Sequence, residues 1–386
     1  MRQKTRFVCV SDTHGCTPSE AGFKLPAGDV LIHAGDLTNN GSLKELRKTI
    51  DWICKADFEI KIIVGGNHDV TLDPEFYREH GKRFHGQHLE DSQHCLKLIT
   101  ESPSVTLLCH EPALIRLTRA GGPNTVFKIF GSPYSQSQGN WAFGYESRNA
   151  AALWGQIPID ADIVVTHTPP RSHCDQKPNG MFVGCVALRS ALSLIRPHLA
   201  VCGHVHEGRG YERVRWRGKL TNTGTERGTE TETETQLESD SVDQVTRGIL
   251  PPMGSNKQSL VDLTGKRDQR LDNEGFSYPG QRQHDLAETQ PVSSASPGSE
   301  SSASILEMAG PRNSPSAHPS LGAGSHGPSN RGFDYGLQTL RKETCIVNAA
   351  VVSTSWPHQG GKRFNSPIVV DLELPVWQGD HAVANR

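Results

Sequence analysis

The chain has 386 residues, with 40 Lys and Arg against 42 Asp and Glu, so its formal net charge is only −2. That balance removes the bulk electrostatic case for a nucleic-acid or membrane-surface binder, and the length is ample to bury a sizeable core. Apolar residues make up 35%, and even counted with glycine they fall a little short of the ~45–50% usual in globular chains, so part of the sequence is expected to stay outside the core. The nine cysteines are an odd number, scattered and without a C-x-x-C pair. They read as reduced thiols, and Cys9 and Cys202, inside apolar runs, read as small buried hydrophobes. Met1 to Arg6 lead straight into an apolar run with no room for a signal peptide, and no run approaches the ~18 residues of a membrane helix. The expected location is the cytoplasm, with no membrane partner.

In chain order, short apolar runs alternate with helical patterns from about residue 6 to about residue 218, which predicts an α/β domain. The strand-like runs are 7–10, 29–34, 60–64, 105–109, 126–130, 162–165 and 199–202. Ser42 is placed to cap a helix carrying Leu43, Leu46, Ile50 and Ile53 on one face, and 186–195 reads as another helix. Residues 211–216 alternate in polarity like a half-buried strand. The character then changes to a Thr-Glu repeat (Thr229-Glu230-Thr231-Glu232-Thr233-Glu234) and to Ser/Pro/Gly-rich sequence. Such a stretch cannot bury enough apolar surface to offset its chain entropy, so 221–336 is expected to be a long, low-complexity, disordered insertion. One island in it, Ser259-Leu260-Val261-Asp262-Leu263-Thr264, reads as a short strand or a docking motif. Strand-like sequence returns at 344–352 and 367–374. The predicted organisation is one domain built from 1–220 and 337–386, with the insertion either an idle spacer or the place for a protein partner and for phosphorylation at Ser296-Pro297 and Ser314-Pro315.

Five polar clusters each follow directly on an apolar run: Ser11-Asp12-Thr13-His14-Gly15, Gly35-Asp36-Leu37-Thr38, Gly65-Gly66-Asn67-His68-Asp69, Thr166-His167-Thr168-Pro169-Pro170 and Cys202-Gly203-His204-Val205-His206. The C-terminal ends of strands in an open α/β sheet line one crevice, so five such ends can converge. Asp12 with His14, and His204 with His206, stand two residues apart, which puts both side chains of each pair on one face of an extended segment. A single such pair is commonly a surface feature. Five in order, containing only carboxylate, carboxamide and imidazole, predict a metal site, and that donor set favours Mn, Fe or Zn over Cu or Ca.

The ordered series Asp12-x-His14, Gly35-Asp36, Gly66-Asn67-His68-Asp69, His167 and Gly203-His204-x-His206 resembles the calcineurin-like metallophosphoesterase superfamily. Gly131-Ser132-Pro133-Tyr134, Asn140-Trp141-Ala142-Phe143 and Val347-Asn348-Ala349 make it most similar to the metallophosphoesterase-domain-containing, class III phosphodiesterase-like branch. The resemblance spans 6–220 and 341–377. It implies a four-layer αββα sandwich, with the long disordered insertion as an addition, and two divalent metal ions. It further implies that Asp12, His14, Asp36 and His206 hold one ion, that Asp36, Asn67, His167 and His204 hold the other, and that Asp36 bridges them. The implied reaction is hydrolysis of a small phosphodiester by a metal-bridging hydroxide, since two cations can activate a shared water. Asp36 and His68 are the residues assigned to catalysis, His68 as general acid for the leaving oxygen, against the alternative of a purely structural imidazole.

The remaining histidines carry blander expectations: His33 as a hydrogen-bonded core group, His110 and His173 as side chains outside the site, and His284, His318 and His326 as solvated groups. Trp141 and Phe143 are expected to pack rather than to stack on a nucleobase. The sequence Gly35-Asp36-Leu37-Thr38-Asn39-Asn40-Gly41 lacks the Asp-Arg pair of the protein Ser/Thr phosphatases, which argues against that branch. The alternatives are a non-catalytic metal-binding scaffold acting through the insertion, and a nuclease or phosphomonoesterase of the same superfamily.

Overall fold

The computed structural model describes residues 1–137, 139–217, 242–255, 257–265, 270–273, 341–354, 358 and 361–377. In chain order the strands are β1 (Arg2–Val10), β2 (Val30–Ala34), β3 (Ile60–Val64), β4 (Val105–Leu107), β5 (Glu111–Arg116), β6 (Val126–Ser132), β7 (Ser135–Gln136), β8 (Gly144–Tyr145), β9 (Ile163–Thr166), β10 (Leu199–Cys202), β11 (Gly210–Trp216), β12 (Val242–Arg247), β13 (Ser259–Asp262), β14 (Glu343–Asn348) and β15 (Ile368–Pro375). Six of them form a sheet in the order β13-β15-β1-β2-β3-β4, and seven form a second sheet in the order β12-β11-β14-β10-β9-β6-β5. The strands β1, β2 and β3 run parallel, as do β6, β9, β10 and β14. A parallel bridge between Ser11 and Ala350 joins the two sheets just beyond the ends of β1 and β14.

Side-chain alternation along these strands creates the layers. Phe7, Cys9, Ile32, Ile62, Ile129, Ile163, Val201 and Val347 point between the sheets and form the central core. Beyond the single-turn helix α1 (Pro18–Ala21), their neighbours Val8, Val10, Leu31 and Ile63 point the other way, onto helices α2 (Leu43–Lys55), α3 (Pro74–His85) and α4 (Ser92–Thr100). On the outer face of the second sheet, Phe130, Val164, Ala200 and Ile346 meet α5 (Ala150–Trp154) and α6 (Val186–Ile195). The result is the expected helix–sheet–sheet–helix sandwich. Ser42 does cap α2, its side chain accepting from the Glu45 amide, and Leu46, Ile50 and Ile53 are buried at helical spacing. No helix among the described residues is long and apolar enough to cross a membrane.

The structure corrects one part of the reading of 221–336: Val242–Arg247, expected to be without order, pairs with β11 as the edge strand β12. The island at 259–264 takes the strand alternative, Ser259–Asp262 pairing with β15 as β13. Val261, Leu263 and Leu271 are buried in the central core. The physical reason is that a few apolar side chains suffice when their partners are supplied by distant strands, while the surrounding polar sequence hides them from any compositional window. Residues 221–241 and 274–336, the latter with both Ser-Pro sites, lie outside the described residues.

Candidate metal centre

All five polar clusters sit immediately beyond the C-terminal ends of β1, β2, β3, β9 and β10. Leaving the strands, the backbone turns sharply: Asp12, His14, Asp36 and His204 all have positive φ, at 54°, 46°, 54° and 66°. Left-handed backbone at a non-glycine residue is costly and persists where surrounding bonds fix it. Here the Asp12 amide donates to Gly35 O (2.9 Å), the His14 amide to Asp36 O (3.0 Å) and the Gly15 amide to Leu37 O (2.8 Å), zipping the two turns together. Gly66 and Gly203 allow the close approach: a Cβ on Gly66 would collide with Asp36, and one on Gly203 with Ser11 and Asp12.

The seven predicted ligands come together in two adjoining clusters. In the first, Nε2 of His14 and Nε2 of His206 are 3.2 Å apart, and Nε2 of His206 is 3.4 Å from Oδ1 of Asp12. In the second, Oδ1 of Asn67 is 3.0 Å from Nε2 of His167 and 2.8 Å from Nδ1 of His204. Asp36 lies between them, with Oδ2 3.7 Å from Nε2 of His14 and Oδ1 3.3 Å from Nε2 of His167. Asp12, His14 and His206 have ligand atoms within 4.8 Å of one another, and so do Asp12, Asp36 and His167, and His14, Asp36 and His68.

The donor chemistry fits cations. Nδ1 of His14, His167 and His206 each meets a backbone carbonyl, of Thr38 (3.2 Å), Ala34 (3.0 Å) and Thr354 (2.9 Å). A carbonyl only accepts, so each Nδ1 carries the hydrogen and each neutral ring turns the bare Nε2 lone pair inward. Acceptors therefore face acceptors, an arrangement that a positive charge resolves. A proton is one such charge. Burial depresses the His167 imidazole, but Asp36 more than offsets this and holds it up at about 9. Burial likewise opposes charging of His206, and its bond to Asp12 raises it to about 9. Burial takes His14 and His204 down to about 3. Thiolate takes no part, since Sγ of Cys202 turns to Val347 O (3.4 Å) and burial drives its thiol well above the ordinary value.

Supporting groups lock this arrangement. Asp69, fully buried, accepts from the amides of Leu37 (3.1 Å), Thr38 (2.9 Å) and Gly66 (2.9 Å) and from the Thr38 hydroxyl (2.8 Å), tying the β2 turn to the β3 turn. Burial and the neighbouring Asp36 charge push its carboxyl up to about 7. Asn348 donates to Cys174 O (2.9 Å) and Val205 O (2.8 Å), fixing the loop that carries His204 and His206. Sequence reasoning gave neither residue a role, although Asp69 and Asn348 both stand in quoted motifs. His68 is half-buried at the rim. Its amide donates to Oδ1 of Asp36 (2.9 Å), and its ring Nδ1 donates to Asn39 O (2.6 Å).

Other histidines lie apart from the clusters. His33 is buried, with Nε2 2.9 Å from the Thr13 hydroxyl. His110 meets Ser132 (3.0 Å), and His173 pairs with Glu212 (2.9 Å). His284, His318 and His326 lie outside the described residues.

Known proteins are similar to this chain over the part that carries the clusters. Human metallophosphoesterase domain-containing protein 1 is 37% identical over 210 residues, which is 53% of this chain and 62% of that protein. The UPF0046 protein C25E10.12 of Caenorhabditis elegans is 32% identical over 213 residues, covering 54% of this chain and 70% of the other. A protein of Emericella nidulans named probable rhamnogalacturonate lyase C is 39% identical over 223 residues, 56% of this chain but only 19% of that protein. Among solved structures, purple acid phosphatase PPD1 from yellow lupin seeds aligns with TM-score 0.32 and 14% identity over 58% of this chain and 41% of that one, too distant to bear on function. The family model described as calcineurin-like phosphoesterase matches residues 5–208, the stretch that carries all seven clustered residues and His68. The chain belongs to the calcineurin-like phosphoesterase family.

Proposed function

We propose that this chain is a metal-dependent phosphoester hydrolase that cleaves small phosphodiesters with two divalent cations bound. The observation that carries the reading is the convergence of bare imidazole, carboxylate and carboxamide lone pairs on two points either side of Asp36. Asp12, His14, Asp36 and His206 would hold one cation, and Asp36, Asn67, His167 and His204 the other, with Mn, Fe or Zn suited to this donor set. Bound there, the cations would supply Lewis-acid stabilisation of the phosphoryl oxygens and activation of a water.

The chain's own contribution to bond cleavage is positioning and proton transfer. His68 spends its Nδ1 hydrogen on the Asn39 carbonyl, which leaves Nε2 as the atom that delivers a proton to the departing oxygen. Asp36 orders His68 directly through the amide bond at 2.9 Å. The shared anion and the proton donor are thus one rigid unit. The nine cysteines are all unpaired, which suits a reducing compartment, and the cytoplasm is the proposed location.

The test is a panel assay of the purified chain loaded in turn with Mn, Fe and Zn, on aryl and alkyl phosphodiesters and the matching monoesters. The expected result is metal-dependent turnover with diesters favoured. Two bound cations without turnover on any ester would replace this reading with that of a metal-binding scaffold, and preference for monoesters would move it to a phosphomonoesterase.

A further inference from the structure

The contact of interest is on the ring of His68. The ring is tethered at Cγ and hydrogen-bonded at Nδ1, but a hydrogen bond tolerates tens of degrees of misalignment, so coupled changes in χ1 and χ2 can still tilt the plane while the Asn39 contact is kept. The plane is set by Trp141. Its indole lies against the imidazole with ring centroids 4.1 Å apart and planes inclined by 35°. The ring of His14 meets His68 edge to face at 4.8 Å and 86°, closing a second direction.

Trp141 is itself held. Phe84 of α3 backs the indole at 5.3 Å. The next residue, Ala142, donates its amide to Asn67 O (3.2 Å), and the Phe143 amide donates to Oδ2 of Asp73 (2.9 Å), whose other oxygen caps α3 at Phe76 (3.1 Å). The indole is therefore anchored both to a clustered residue and to the helix that supports it. Ala142 and Phe143 are buried while Trp141 is half-buried, so the indole packs on the edge of that core and reaches from it to His68.

We propose that Trp141 is a positioning residue: it fixes the plane of the His68 imidazole so that Nε2 faces the leaving oxygen. The proposal rests on the phosphodiesterase reading for its consequence in turnover, and on the stack alone for its structural content. Rigid orientation of a proton donor matters because displacement by about 1 Å costs on the order of 10²-fold in rate.

The experiment uses the full chain with Trp141→Phe, Trp141→Leu and Trp141→Ala, beside His68→Ala and the His68→Ala/Trp141→Leu double variant. The first readout is independent of activity: in ¹⁵N-histidine-labelled, Zn-loaded protein, the His68 ring protons are expected upfield through the indole ring current. That shift should vanish in Trp141→Leu and persist in part in Trp141→Phe. The second readout is turnover. Trp141→Leu is expected to lose roughly 10–100-fold on an alkyl diester and only a few-fold on a nitrophenyl diester, with metal content and KM little changed. Trp141→Phe should recover most of the loss, and the double variant should be no slower than His68→Ala alone, because both changes remove one function. An unaltered His68 ring shift in Trp141→Leu overturns the proposal. So do equal losses on both esters, or additive losses in the double variant. If the unaltered protein cleaves neither ester, the phosphodiesterase reading fails while the ring shift still decides whether Trp141 holds His68. If Trp141→Ala unfolds, Trp141→Leu and Trp141→Phe retain the apolar volume and carry the test.

Discussion

The two ends of the same strands bury polar groups in opposite ways. At the N-terminal ends, donors meet acceptors. Arg341, buried before β14, donates to Ala161 O (2.6 Å) and to Oδ1 of Asp162 (2.7 Å), while Oδ2 of Asp162 accepts from the Lys128 amide (2.8 Å). Asn273 donates to Nδ1 of His198 (3.1 Å) and Glu343 O (2.8 Å), and accepts from the amides of Lys342 (2.7 Å) and Glu343 (2.9 Å). Glu343 in turn pairs with Arg213 (2.8 Å) and Arg215 (2.9 Å). At the C-terminal ends, imidazole lone pairs face one another and face carboxylate and carboxamide oxygens. A network that closes on itself contributes to stability, whereas one left with surplus acceptors is completed by something from outside the chain.

The comparison breaks most visibly at Asp36. Asp36→Ala is expected to abolish hydrolysis and lower the metal content from two ions per chain toward none, because it removes the anion shared by both clusters. Elemental analysis and turnover check this, and two retained ions with near-normal rate would remove Asp36 from its central place. His68→Ala sharpens the same side. It should keep both ions and lose roughly 10²–10⁴-fold on a substrate with a poor leaving group, with a smaller loss on a nitrophenyl ester. Equal losses on the two substrates would make His68 structural.

On the opposite side the expected effects fall on stability alone. Asn273→Ala strips partners from buried groups on two strands, and urea unfolding should show a loss of about 2–3 kcal/mol with metal content unchanged. A fall in bound metal would show that the two ends are not independent. The smallest effect is that of pH on His198. Burial, reinforced by the cations Arg341 and Arg2, holds its folded pKa well below the ordinary value of 6.5. The unfolded chain then takes up a proton near pH 6.5 while the folded chain refuses it. Stability is full above that value and falls as pH drops below it, by at most about 1.4 kcal/mol per pH unit. Unfolding curves at pH 7.5 and 5.5 measure this, and His198→Leu should flatten the difference.

The clustering of Asp12, His14, Asp36, Asn67, His167, His204 and His206 was legible in the sequence because each lies just after an apolar run, and strand ends on one edge of a sandwich are neighbours. The helix α2 was legible through Ser42 and the spacing of its buried face. Helix α3, by contrast, turns Phe76, Tyr77 and Phe84 inward at helical spacing, but so many of its twelve residues are charged that it does not stand out as an apolar segment. Strand β12 was hidden for a different reason: its partner, β11, lies outside the low-complexity segment that contains it, whereas the apolar island of β13 stood out as a short strand or docking motif. The stack of Trp141 on His68 joins two loops, and nothing in local pattern announces which face of an aromatic ring a loop will turn outward.

The position of the last two strands has a consequence for synthesis. β14 lies between β11 and β10, and β15 lies between β13 and β1, so the final strands are inserted into the middle of both sheets. A nascent chain that has emerged through Trp216 holds two unfilled slots, one beside β1 and one beside β10. At roughly 5–20 residues per second the ribosome needs on the order of 10 s to pass from there to Glu343. Throughout that interval the edges of two half-built sheets stand open to foreign strands, and the sandwich closes only when the C-terminal strands arrive to fill them.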